Sequence, residues 1–225
     1  MINKQSLLPL AFEGDFDLHN FHVSESNIAA VKLLQAQLQQ KNALLLIHGS
    51  SGCGKSHLAR VIAKQMFCEV ESLKTLDMAR YQGRVVIDQL EEVANDCHAQ
   101  EKLVHCVNRN RLVQQGQIVL FSETLPASWP IDQQLPDFVS RINGLFQCAK
   151  IEEPDDSLLR QILLKLAADQ HFTLPESVIS YWLARMPRSY SAAQELIQLL
   201  DQITLARQAK VSLVTARQAL EELQD

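Results

Sequence analysis

Apolar runs and amphipathic stretches alternate through the first two thirds of the chain, and amphipathic stretches alone fill the last third. Ile28, Val31, Leu34 and Leu38 recur at helical spacing, so 24–40 is predicted to be a helix capped by Ser24 or Ser26. Ala43-Leu44-Leu45-Leu46-Ile47 reads as a strand, and a helix-like stretch runs from His57 to Ala63. A short segment over 68–81 leads to Arg84-Val85-Val86-Ile87-Asp88, a buried strand ending in an acid. A helix follows over roughly 99–115, then a buried strand over 117–122 and a further strand over 145–151.

After Pro154 the character changes. Residues 155–170, 175–185, 189–208 and 212–223 all read as amphipathic helices with no strand between them. The pattern predicts an α/β domain with a parallel sheet over 21–153 and a small all-helical domain over 154–225, with the boundary near 152–156. Residues 1–20 mix apolar and polar positions without period, with Pro9 and Gly14 as breakers, and read as a tail.

Composition narrows the class. A chain of 225 residues holds one α/β domain and a small appendage, and 47% hydrophobic residues are ample for a core. A net charge of −5 argues against a protein built to coat nucleic acid. The longest apolar run, 43–47, is too short to span a bilayer, and the N-terminus lacks a signal pattern. Five cysteines without framework spacing fit a reducing cytoplasm.

The chemistry concentrates between the first strand and its helix. Residues 49–56 read Gly-Ser-Ser-Gly-Cys-Gly-Lys-Ser, a complete G-x-x-x-x-G-K-[ST] phosphate loop in strand–loop–helix context. Gly49, Gly52 and Gly54 let backbone N–H groups turn toward a triphosphate, and the helix that opens near His57 points its N-terminus at the same anion. Lys55 reaches the outer phosphates and the Ser56 hydroxyl can ligate Mg²⁺. Asp88, ending a strand of Walker B form, is a second Mg²⁺ group. The residue after it, where many such ATPases carry a catalytic Glu, is Gln89, so hydrolysis in isolation is expected to be slow. Glu123, in Phe121-Ser122-Glu123-Thr124, sits where a strand-end polar group can meet the γ-phosphate or the attacking water. Arg141 precedes the last strand, from which an arginine can reach a neighbouring subunit's phosphate or form a surface ion pair; the residues leave both open. Cys53, inside the loop, is a candidate for oxidation. The pairs Cys97-His98 and His105-Cys106 lack zinc spacing and read as buried thiols and surface histidines.

With these residues in place, the chain resembles the AAA+ ATPases of the DnaA initiator group. The likeness rests on Phe21-His22-Val23-Ser24-Glu25-Ser26-Asn27, which resembles the segment beside the adenine, and on 104–108 with 116–120, which resemble the helix and sensor 1 strand. Leu135-Pro136-Asp137 through Ser140-Arg141-Ile142 resembles the arginine-finger box, and 185–190 the sensor 2 region of a helical lid. At the sensor 2 position stands Ser191, with Arg188 one helical turn earlier. Within the group the chain is similar to the Hda-type regulators, particularly their alphaproteobacterial form: nothing follows the lid, and 69–83 is too short for the extra helix that initiators insert to grip single-stranded DNA. Gln5-Ser6-Leu7-Leu8-Pro9-Leu10 resembles their sliding-clamp motif at Gln5, Leu8 and Leu10, with Ser6 where the motif has Leu.

The resemblance implies a P-loop AAA+ domain with a helical lid, holding ADP or ATP with Mg²⁺ through the loop residues, His57, Asp88 and Arg188. It implies DnaA and the DNA polymerase III sliding clamp as partners, with Arg141 offered to DnaA's ATP. It also implies no sequence-specific DNA reading and no membrane, and leaves room for a homo-oligomer. The rival from another class is a DNA-acting AAA+ ATPase such as a helicase loader, against which the acidic balance speaks. A small P-loop kinase is a further rival, but the arginines after Pro154 are too scattered for a phosphate-covering lid.

Overall fold

A computed structural model describes residues 21–113, 116–129 and 135–224. Five parallel strands form one sheet in the order β2-β3-β4-β1-β5, with β1 at Asn42–His48, β2 at Val70–Glu71, β3 at Arg84–Ile87, β4 at Gly116–Ser122 and β5 at Gln147–Lys150. Register runs Asn42 to Gly116 through His48 to Ser122 across β1 and β4, and Val85 to Ile118 across β3 and β4. The fold is α/β, as the strand–helix alternation predicts.

Side chains alternate across the strands and build a core on each face. Leu45, Ile47, Val119 and Phe121 pack with α1 (Ile28–Leu38) and α2 (Lys55–Gln65). Leu46, Ile118, Leu120 and Ile87 point the other way, against α3 (Cys97–Val113) and α4 (Pro136–Leu145). Both faces being covered explains why these strands read as continuous apolar runs.

Four helices complete the chain: α5 (Asp156–Asp169), α6 (Glu176–Leu183), α7 (Tyr190–Arg207) and α8 (Leu213–Gln224). They close round a core of their own, in which fully buried Trp182 donates from Nε1 to the Ala216 carbonyl at 2.9 Å. The junction is tied to the start of α1: the Glu152 N–H donates to Ser26 O at 2.8 Å, and the Ser26 N–H to Asp155 Oδ2 at 3.3 Å.

Some elements differ from the pattern-based reading. α1 starts at Ile28 rather than Ser24, with Asn27 at the cap position, while Ser24 and Ser26 bond to one another. β2 is only two residues long and gives no periodic signal. The segment before β5 is the helix α4, opened by Pro136 in the first turn, where the missing N–H costs nothing.

Candidate functional site

The carboxyl ends of β1, β3 and β4 face a cleft of about 560 Å³ that the phosphate loop, α5 and α7 also line. Ligands of open α/β sheets sit at this end of the strands. The loop leaves β1 at His48 and turns into α2 through Gly52 at φ +75° and Gly54 at φ +103°, left-handed conformations that favour glycine. α2 opens at Lys55 with Gly54 at its cap position, so the helix N-terminus meets the end of the loop. The buried Lys55 donates from Nζ to the carbonyls of Gly49 and Ser50, both at 2.8 Å, so the ammonium already sits inside the loop. A glycine turn, a helix N-terminus and an enclosed ammonium form a cradle that fits a polyphosphate.

Ser56, His57, Asp88 and Glu123 line the same cleft. The Phe21 ring stacks on the His57 imidazole, with centroids 5.7 Å and planes 16° apart, and joins His22 and Asn27 along one wall. Among the described residues no three His, Cys, Asp or Glu side chains converge as an all-protein metal site. A cation held by Ser56 and Asp88 would complete its shell from phosphate and water, the usual habit of Mg²⁺.

β3 and β4 end in linked polar groups. Asp88 Oδ1 accepts from the Gln89 N–H at 3.0 Å, and Gln89 takes a left-handed turn at φ +55° with its side chain exposed. A 3₁₀ turn over Leu90–Val93 follows, anchored by buried Leu90 and Val93. It returns Glu91 to the cleft, where Oε2 accepts from Ser122 Oγ and from the Glu123 N–H, each at 3.0 Å. Sequence reasoning missed this bridge, because Glu91 and Ser122 are distant in the chain and only the pairing of β3 with β4 joins them.

The helices after Pro154 close directly on the loop. The Tyr190 N–H donates to the Gly52 carbonyl at 3.1 Å, and a Cβ on Gly52 would lie 2.6 Å from that of Ser189. Tyr190, Ser191 and Gln194 line the cleft from α7. Arg188 does not: its Nε donates to Pro154 O at 3.0 Å and its Nη2 pairs with Asp156 at 2.6 Å, across the junction. Arg141 also lies outside the cleft, on α4, where Nε pairs with Asp137 at 2.9 Å and Nη1 donates to Asn108 Oδ1 at 2.6 Å. The surface ion pair left open by the sequence is therefore formed. Gln5, Leu8 and Leu10 fall outside the described residues.

The cysteines are core atoms or isolated thiols. Cys53 is 5% exposed, and burial pushes its thiol up despite the neighbouring Lys55, so it is a poor thiolate and a poor target for oxidation. Cys106 is fully buried beside Met78 Sδ, and burial raises its thiol to about 12. Its neighbour His105 and the pair Cys97 and His98 are exposed.

No protein-family model matches the chain. It is 22% identical to an uncharacterised protein of Haemophilus influenzae, over 97% of this chain and 99% of that one. It is 25% identical to the chromosomal replication initiator protein DnaA of Thermotoga maritima over 80% of its own length. In structure it superposes on domain III of the Thermotoga maritima DnaA with a TM-score of 0.74 at 21% identity, covering 93% of this chain and 97% of that one. The chain is similar in sequence to DnaA and has the fold of its domain III. It spans 46% of the Thermotoga relative and 51% of the DnaA of Buchnera aphidicola, about half of each initiator. The same fold recurs in a DnaA bound to AMPPCP and single-stranded DNA, with a TM-score of 0.65 at 22% identity over 86% of this chain and 68% of that one. It recurs also in the Holliday-junction motor RuvB of Thermotoga maritima, with a TM-score of 0.63 at 17% identity over 88% and 69% of the two chains. Among the described residues no helix is long and apolar enough to cross a membrane.

Proposed function

We propose that this DnaA-related chain is an Hda-type regulator of chromosomal replication initiation, which holds ADP or ATP with Mg²⁺ and, with the DNA sliding clamp, stimulates hydrolysis of ATP bound to DnaA. The observation that carries the reading is a separation of parts. The phosphate-holding groups Lys55, Ser56 and Asp88 gather in the chain's own cleft, while Arg141 is held ready on α4 outside it. A guanidinium that does not serve its own nucleotide is available to a neighbour's, where neutralising a transferring phosphoryl group is worth roughly 10³–10⁵ in rate.

Gln89 supports the same division of labour, since an amide cannot take a proton from the attacking water. The bound nucleotide then serves mainly to hold the helices after Pro154 against the phosphate loop through Gly52 and Tyr190, so that residues 154–225 act as its lid. AMPPCP in a DnaA of the same fold supports the choice of an adenine nucleotide. Gln5, Leu8 and Leu10 are assigned to the clamp. The reading is tested by measuring hydrolysis of DnaA-bound ATP with this protein added, with and without clamp loaded on DNA. Clamp-dependent stimulation is expected. Unchanged hydrolysis in both arms, from protein that binds ADP, would remove the regulatory role and leave a nucleotide-binding AAA+ protein of another kind.

A further inference from the structure

Two hydrogen-bond donors stand at the tip of β4, the Ser122 hydroxyl and the Glu123 N–H. This is the strand end beside the phosphate loop, where a polar group is expected to meet the outermost phosphate. Both donors are already committed. Each lies 3.0 Å from one oxygen, Glu91 Oε2. A hydroxyl carries a single proton, so while Ser122 donates to Glu91 it donates to nothing else. Hydrogen bonds to a carboxylate are of the stronger, charge-assisted kind. The clasp is also pre-set: Gln89 turns the chain, and buried Leu90 and Val93 fix the short helix that presents Glu91.

We propose that Glu91 is a specificity-determining residue that occupies the β4-tip donors in place of a phosphate oxygen and so suppresses the cleft's preference for a nucleoside triphosphate over a diphosphate. The inference rests on the nucleotide-binding reading above. A third phosphate reaching the tip has to displace a carboxylate and approach its charge, and like charges at contact range repel. Asp88 does not share this duty, since its bonded oxygen accepts from Gln89 instead.

The test is competition binding of ADP and AMPPCP, with Mg²⁺, to the full chain carrying Glu91→Ala, Glu91→Gln, Ser122→Ala or the Glu91→Ala/Ser122→Ala pair. Glu91→Ala is expected to shift the affinity ratio about tenfold toward AMPPCP, the scale of one freed hydrogen bond to a charged group. Ser122→Ala should lower triphosphate affinity mainly when position 91 is Ala, because only then is the hydroxyl free. Glu91→Gln removes the charge but keeps an acceptor oxygen, so it should shift the ratio in the same direction and by less than Ala. The proposal fails if Glu91→Ala leaves the ratio unmoved. It fails if Ser122→Ala costs as much with Glu91 present as without it, since the hydroxyl would then already read phosphate. It fails as well if Gln and Ala shift the ratio equally, since charge alone would then decide. Wild-type protein that binds no ADP would refute the nucleotide reading itself, a result distinct from bound ADP with an unshifted ratio.

Discussion

At the scale of single residues the site depends on Lys55 and on the glycine turns of the phosphate loop. Lys55 is enclosed by the carbonyls it bonds, so Lys55→Ala removes the only loop ammonium without opening the core. ADP at 100 times its dissociation constant stabilises a binding-competent protein by about 2.7 kcal/mol. The expected outcome is a clear ADP-dependent rise in Tm for wild type and none for Lys55→Ala; equal shifts would place the nucleotide elsewhere. Gly52→Ala is a sharper probe of geometry. A side chain at φ +75° costs about 1 kcal/mol, and its Cβ would press on Ser189 at 2.6 Å. Thermal unfolding should fall by several degrees, and ADP affinity should fall with it, because α7 is pushed off the loop. The phosphate loop and Asp88 were legible because a contiguous motif carries them. The clasp between Glu91 and the β4 tip was not, because it depends on strand pairing, and neither was the engagement of Arg188 with Asp156, because it depends on how α5 meets α7.

Among elements, the junction between β5 and α5 concentrates polar contacts that titrate. Asp155 caps α5 by accepting from the Leu158 N–H at 2.8 Å. Burial would push its carboxyl up, yet bonds from Leu158, Ser24, Ser26 and Ser157 outweigh burial and hold it below the usual range. His48, at the end of β1, is pushed down by burial and by Lys150, with Glu152 opposing. Both groups bind fewer protons folded than unfolded near their ordinary values, so both make stability rise with pH. His48 contributes fully above its ordinary value of about 6.5 and loses its contribution as pH falls below it. Asp155 contributes above the ordinary carboxylate range and loses its contribution as pH falls through its lowered value. Denaturation midpoints should therefore decline in two acid steps. His48→Gln should flatten the upper step, and Asp155→Ala should flatten the lower one at a cost of about 1 kcal/mol for the lost cap. Elements with strong periodicity, such as β1, β4 and α5 to α8, were readable from the chain. β2 is too short to carry a pattern, and α4 was hidden by a proline that reads as a breaker unless it occupies the first turn.

For the whole molecule, the question is whether one set of residues holds nucleotide while another acts on a partner. Lys55, Asp88, Glu91 and Glu123 line one cleft, whereas Arg141 projects from α4, on the face of the sheet opposite α2. Arg141 is one-quarter exposed and aligned by Asp137 and Asn108, which fixes its fork while leaving part of the guanidinium open. Arg141→Ala should leave ADP-induced stabilisation near wild type, because no cleft contact is removed, and should abolish stimulation of DnaA-bound ATP hydrolysis. Arg141→Lys should rescue poorly: a point charge keeps the sign but cannot hold Asp137, Asn108 and a phosphoryl oxygen in one plane. The control is Asp137→Asn, which loosens the guanidinium without deleting it and should lower stimulation by less than Arg141→Ala. Full stimulation by Arg141→Ala, with clamp loaded and ADP bound, would show that the group acting on the partner lies elsewhere on the surface. Loss of both ADP binding and stimulation would instead tie Arg141 to the chain's own fold.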